Sequence, residues 1–367
     1  MERLQEVQIK LARIRKLMDE HNLQAVLLKK QANFSWLTAG GYNIVGVASE
    51  MGVASLLVTA KNQYVIANRI EAARMMEEED LDRLGFELLT HEWYEDREIE
   101  LVQEVVGKGS VGCDAHVSNY SNLDGLIKVL RYELTEGEIE RYLFLGTKLS
   151  TAIEKVLASI KPGDTEAEIT GRLAEEVWQD RIDPTGYMAA ADHRARLYRH
   201  PIPTMNKVQD YIMLCMNARY KGLITTITRF AHFGPVSAEL QRQYADNVEI
   251  ECAMIANTRI GQPLTVPFLK ALDLYASKGY KDEWKLHHQG GSMGYYARDV
   301  KVTHSTTEVV YPNQAFCWNP SITGTKSEDA FIATPDGPLM ISKPITFPTL
   351  RFEVDGIEFI RPAILEL

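Results

Sequence analysis

Residues 284–299 read WKLHHQGGSMGYYARD and residues 319–331 read NPSITGTKSEDAF. In the first stretch a glycine-rich segment, Gly290-Gly291-Ser292-Met293-Gly294, follows the adjacent histidines His287 and His288. In the second, a turn at Asn319-Pro320 leads through a loop at Gly324 to the acidic pair Glu328-Asp329. The remainder of the chain is read outward from these two segments.

Upstream, residues 267–279 carry a short helical pattern ended by Gly279, and residues 237–260 a longer one. Before them, YIMLCMNARYKGLITTITRFAHFG (211–234) reads as a hairpin. Alternation along its second strand puts Thr226, Thr228, Phe230 and His232 on one face. Further back, two helices each open with a capping box, Thr135 with Glu138 and Thr165 with Glu168, and Pro162-Gly163 breaks the chain between them. Two helix-pair-plus-sheet halves follow, roughly 136–235 and 237–334, and MISKPITFPTLRFEVDGIEFIRP forms a last hairpin. A domain boundary is expected near residue 133, giving domains 1–133 and 134–367.

The first domain alternates helix and strand. Leu4, Val7, Leu11, Ile14 and Met18 make one apolar stripe of a helix over 2–22. AVLLK, ASLLVT, QYVIAN and SVGCDA read as strands, IEAARMMEEEDLDRLG and NLDGLIKVL as helices, and NFSWLTAGGYN as a segment turning at Gly40-Gly41. This is a small α/β domain. The GGYNIVG turn lacks the spacing and Lys-Ser/Thr ending of a phosphate loop, so it reads as an ordinary turn.

Composition narrows the function classes. The 367 residues carry a formal charge of −10 with 45% apolar and 25% charged residues, and no basic run. Nucleic acid and anionic membranes are therefore not expected partners. The N-terminus lacks the apolar core of a signal peptide and no apolar run reaches membrane-spanning length, so a cytoplasmic protein is expected. Cys113, Cys215, Cys252 and Cys317 are widely spaced, which predicts free, buried thiols and no zinc cluster.

On these motifs the chain resembles the pita-bread family of creatinase, prolidase, aminopeptidase P and methionine aminopeptidase. The resemblance implies a creatinase-like N-terminal α/β domain followed by a pita-bread catalytic-type domain of α+β character, and a homodimer. Metal-dependent members hold two divalent ions with two Asp, one His and two Glu. Their flanking residues match this chain where Cys215 and Thr226 stand in place of the aspartates, Gly291 of the histidine and Asn319 of a glutamate; only Glu328 remains. One carboxylate does not offset two divalent ions, so no metal and no cofactor is expected. His287 and His288 do not fill the gap, because neighbours on a strand point to opposite faces.

These departures run in the direction of creatinase, which has this fold and uses no metal. The resemblance implies His200, in YRHPIPT, as the proton-transferring group, Arg298, in GYYARD, as a bidentate carboxylate clamp, and Glu328 as the partner that orients His200 or holds a cationic group. Creatinase carries a Glu where this chain has Thr228, which argues against creatine. Thr228, His232 and Asn319 are further substrate-binding candidates, and Arg69 or Arg74 stands as the arginine that a dimer partner would contribute. Arg229 reads as a structural ion pair. The expected function is a metal-independent hydrolase or lyase of a small carboxylate-bearing, nitrogen-containing compound. An Xaa-Pro-type peptidase and a non-catalytic protein that binds a metabolite or short peptide remain as alternatives.

Overall fold

A computed structural model describes all 367 residues. They fall into two compact units, residues 1–139 with 221–223, and residues 140–220 with 224–367. No helix is long and apolar enough to cross a membrane.

The N-terminal unit runs α1 (Arg3–Glu20), β1 (Ala25–Lys30), α2 (Gln31–Leu37), β2 (Met51–Thr59), β3 (Gln63–Asn68), α3 (Arg69–Glu77), β4 (Glu87–His91), α4 (Glu98–Val106), β5 (Val111–Cys113), β6 (Ser121–Asn122) and α5 (Asp124–Leu130). Its six strands form one mixed sheet in the order β4-β3-β2-β1-β5-β6. β1, β2 and β3 pair antiparallel, and the outer strands join in parallel. Of the stripe on α1, Val7, Leu11, Ile14 and Met18 are buried as its periodicity predicts, while Leu4 in the first turn is exposed. Ahead of the Gly40-Gly41 turn, where the sequence predicts no helix, Gln31–Leu37 is a helix buried on every side. With no polar face it carries no 3.6-residue alternation for periodicity to detect.

The C-terminal unit contains α6 (Glu136–Leu157), whose first turn lies at the division, α7 (Glu166–Trp178), β7 (Asp183–Ala191), α8 (Arg194–Leu197), β8 (Tyr211–Tyr220), β9 (Leu223–His232), α9 (Ala238–Asn257) and α10 (Thr265–Ser277). After a 3-10 turn at Glu283–Leu286 come β10 (Gly290–Met293), β11 (Gln314–Trp318), β12 (Ser321–Ile322), β13 (Thr325–Lys326), β14 (Asp329–Thr334), β15 (Gly337–Met340), β16 (Thr349–Val354), β17 (Ile357–Pro362) and β18 (Leu365–Glu366). Both capping boxes are formed. One sheet has the order β18-β9-β8-β7 and the other β10-β11-β14-β15, each half also contributing a helix pair. β16 and β17 make the last hairpin, turning through Asp355 and Gly356, both at positive φ. All four cysteines are free and buried.

Candidate active site

Glu328 sits in the link between β13 and β14, 2% exposed, and five side chains close on it. Its Oε2 accepts from Lys326 Nζ and Thr228 Oγ1, both at 2.7 Å, and from Cys215 Sγ at 3.3 Å. Its Oε1 accepts from Arg298 at 3.2 Å and Asn319 Nδ2 at 3.3 Å. The alternation of an extended segment explains the company: Lys326 and Glu328 are two residues apart and share a side, while the Ser327 hydroxyl and the Asp329 backbone N–H donate to Glu251. On that other side Arg229 grips Asp329 with bonds of 3.0 and 3.1 Å, and Arg361 bridges Asp329 and Glu251. Arg229 is thus the structural ion pair its strand phase predicts.

Burial alone would raise the Glu328 carboxyl, but Lys326 and then Arg298 hold it well below the usual carboxylate range. Burial likewise opposes the charge on Lys326, 3% exposed, and the Glu328 carboxylate at 2.7 Å favours it. Burial pushes the Cys215 thiol up to about 12, so it is neutral and the carboxylate supplies the anion. Lys326 escaped the sequence reading, although its spacing from Glu328 is the signal that finds it.

A second cluster lines a cavity of about 430 Å³. The His200 and His287 Nε2 atoms are 2.9 Å apart, and the His287 and His288 rings stack at 4.5 Å with 23° between their planes. The expectation that His287 and His288 point to opposite faces is corrected here. They precede β10, leaving the 3-10 turn, so no strand pleat separates them. Arg199, bonded to Glu283 and Thr323, pins the segment bearing His200 against that turn. Gln289 donates to the His287 carbonyl and accepts from Tyr275, and the Gly290 N–H donates to His288 Nδ1. Phe268, Trp284 and His304 meet edge to face as an apolar wall of the same cavity.

All three imidazoles are held neutral. Burial, then the Lys326 charge, brings His287 down to about 2; burial, then Arg298, brings His288 to about 3; burial, then Lys326, lowers His200. His200 therefore has His287 as its hydrogen-bonding neighbour, with Glu328 acting on it through space.

The other candidates separate. Thr228 and Asn319 stand on Glu328, with Thr226 Oγ1 and Asn319 Oδ1 buried and without partners. Arg298 spends N–H groups of both terminal nitrogens on Glu328 and the Ala297 carbonyl, so the open bidentate fork expected of it is partly engaged. His232, at the end of β9, bonds the Gly234 carbonyl and packs on Tyr211. Arg69 opens α3 in the N-terminal unit and pairs with Glu92 at 2.7 Å.

Residues 146–353 match the model of metallopeptidase family M24, and residues 10–141 the creatinase/prolidase N-terminal domain. This chain belongs to metallopeptidase family M24. Among curated relatives, an uncharacterized peptidase of Staphylococcus aureus (strain MW2) is 25% identical over 230 residues, 60% of this chain and 66% of its own length, so the match spans just under two thirds of that relative. Among solved structures, an Xaa-Pro dipeptidase from Bacillus anthracis superposes with a TM-score of 0.77 at 19% identity, covering 98% of this chain and 100% of its own. A prolidase from Pyrococcus horikoshii superposes at 0.76 with 15% identity, covering 92% and 98%. These structural likenesses establish the shared pita-bread fold.

Proposed function

We propose that this family member is a metal-independent hydrolase or lyase of a small carboxylate-bearing, nitrogen-containing compound, with His200 as the group that moves the proton. The observation that carries it is the neutral His200–His287 pair on a 430 Å³ cavity, backed by the fixed positive charges of Lys326 and Arg298. A neutral imidazole at pH 7 is ready to accept a proton, and positioned proton transfer contributes roughly 10²–10⁴-fold in rate. His287, buried beside it, fixes the ring of His200 through the 2.9 Å contact between their Nε2 atoms. Lys326 and Arg298 favour the substrate's carboxylate and the negative charge that develops as a C–N bond is attacked. Arg298 keeps Nε without a partner for that carboxylate.

The residues at hand do not fit a pair of divalent ions. Around Glu328 the structure gathers a thiol, a hydroxyl, an amide and one carboxylate, whereas hard ions seek several carboxylate oxygens. Lys326 Nζ already supplies the positive charge at 2.7 Å from that carboxylate. At Gly291 a Cβ would stand 2.1 Å from the Val300 carbonyl oxygen, so backbone fills the space a ligand side chain needs.

A second reading rests on the aromatic wall of Phe268, Trp284 and His304, which suits a prolyl ring and would make the substrate an Xaa-Pro dipeptide, as the names of the structural neighbours suggest. Both readings are tested by assaying Xaa-Pro peptides and small carboxylated amides and guanidino acids, with and without a chelator. Chelator-insensitive turnover that drops at least about 100-fold in His200→Gln is expected. Turnover abolished by the chelator overturns metal independence, and full activity in His200→Gln removes the proton-transfer role.

A further inference from the structure

The side chains of His200, His287 and His288 each offer a ring nitrogen, and these nitrogens all lie within 4.8 Å of one another. We propose that this trio is a mononuclear site for one imidazole-preferring divalent transition-metal ion, zinc, nickel or cobalt(II), and that its occupation switches the cavity off by taking His200 out of proton transfer. The site is separate in residues and in chemistry from the carboxylate set that the pita-bread family uses for paired ions.

The geometry is close to what such an ion asks for. Metal–imidazole bonds of about 2.0–2.1 Å put ligand nitrogens about 2.9 Å apart at right angles and about 3.3 Å apart at tetrahedral angles. His200 Nε2 and His287 Nε2 stand at 2.9 Å already. His288 Nδ1 accepts the Gly290 N–H at 3.2 Å, so that nitrogen holds the lone pair of the neutral ring, and ligation through it replaces this hydrogen bond. His287 is 7% exposed with its Nδ1 buried and without a partner, a polar atom the fold leaves unsatisfied in this cluster. The adjoining cavity leaves a position for a fourth ligand.

Donor type sets the selectivity. Lys326, Arg298 and Lys301 all act electrostatically on the trio and repel every divalent ion alike, so the choice among ions falls to the three imidazole donors. Imidazole nitrogens suit zinc, nickel and cobalt, and the same positive field favours an anion, hydroxide or carboxylate, in the fourth position. Because the ion and a transferred proton compete for the same His200 nitrogen, metal and turnover exclude each other.

The test uses the full chain, stripped with chelator and desalted, with no substrate present. Titration with zinc alone, followed by calorimetry, and with cobalt alone, followed by its visible absorption, should show one ion per chain and a spectrum of a nitrogen-ligated low-coordinate ion. His200→Ala, at an exposed position that the fold tolerates, and His288→Ala should each weaken binding at least 10-fold, while Cys215→Ser leaves it unchanged. Binding of two ions, loss of binding in Cys215→Ser, unchanged affinity in both histidine variants, or no binding at micromolar metal each overturns the proposal. These readouts need no turnover, so they stand or fall independently of the proposed reaction. Where turnover is found, one equivalent of zinc should abolish it and chelator restore it.

Discussion

Gly291 shows how one residue can close a chemical option. Its φ of +151° and the Val300 carbonyl 2.1 Å from where a Cβ would be make it a glycine by necessity of backbone approach. Gly291→Ala is expected to cost more than about 2 kcal/mol in chemical denaturation, from the clash and the unfavourable φ together. His287 carries a pH signature. Its folded-state pKa of about 2 lies below the ordinary value, so its contribution to stability is whole above about pH 6.5 and is lost as the pH falls from there towards 2. With chelator present, the wild type should lose about 2 kcal/mol more than His287→Gln between pH 7.5 and pH 5, read from denaturation at both pH values. An equal loss in the two proteins would show that this imidazole is not held neutral by the fold.

At the level of elements, the short β13 and β14 strands sort charge by alternation. Lys326 and Glu328 go to the cleft, whereas Asp329 goes to Arg229 and Arg361, with Glu251 completing a buried set of balanced charges. Removing one cation leaves a buried carboxylate with a single cation beside it, Arg361 for Asp329 and Arg298 for Glu328. Arg229→Ala is therefore expected to destabilise by about 2–4 kcal/mol, and Lys326→Ala by a similar amount, below the cost of a wholly uncompensated buried charge. Thermal unfolding decides it; a loss below about 1 kcal/mol for either would mean that water reaches these groups. The hairpins belong to this scale too. Lys221-Gly222 and Asp355-Gly356 take positive φ at both turn positions, matching the strand twist, and their dipeptides were readable in the chain.

For the whole molecule, the sequence by itself determined the family and the order of elements. Apolar periodicity gave α1, capping boxes gave α6 and α7, and the spacing of glycine, proline and acid around residues 284–331 gave the pita-bread reading that the match to family M24 bears out. Those signals are local, written in residues a few positions apart. What only the tertiary structure decided lies between segments distant in sequence. His200 meets His287 across 87 positions, and Cys215 meets Glu328 across 113. No periodicity reports such a meeting, because it depends on how loops end and sheets register. The burial of α2 on all sides and the stacking of two histidines that leave a 3-10 turn were hidden for the same reason. The sequence names which groups the chain owns, but the charge state of each and the neighbour it acts on follow from burial and distance, which exist only once the chain has folded.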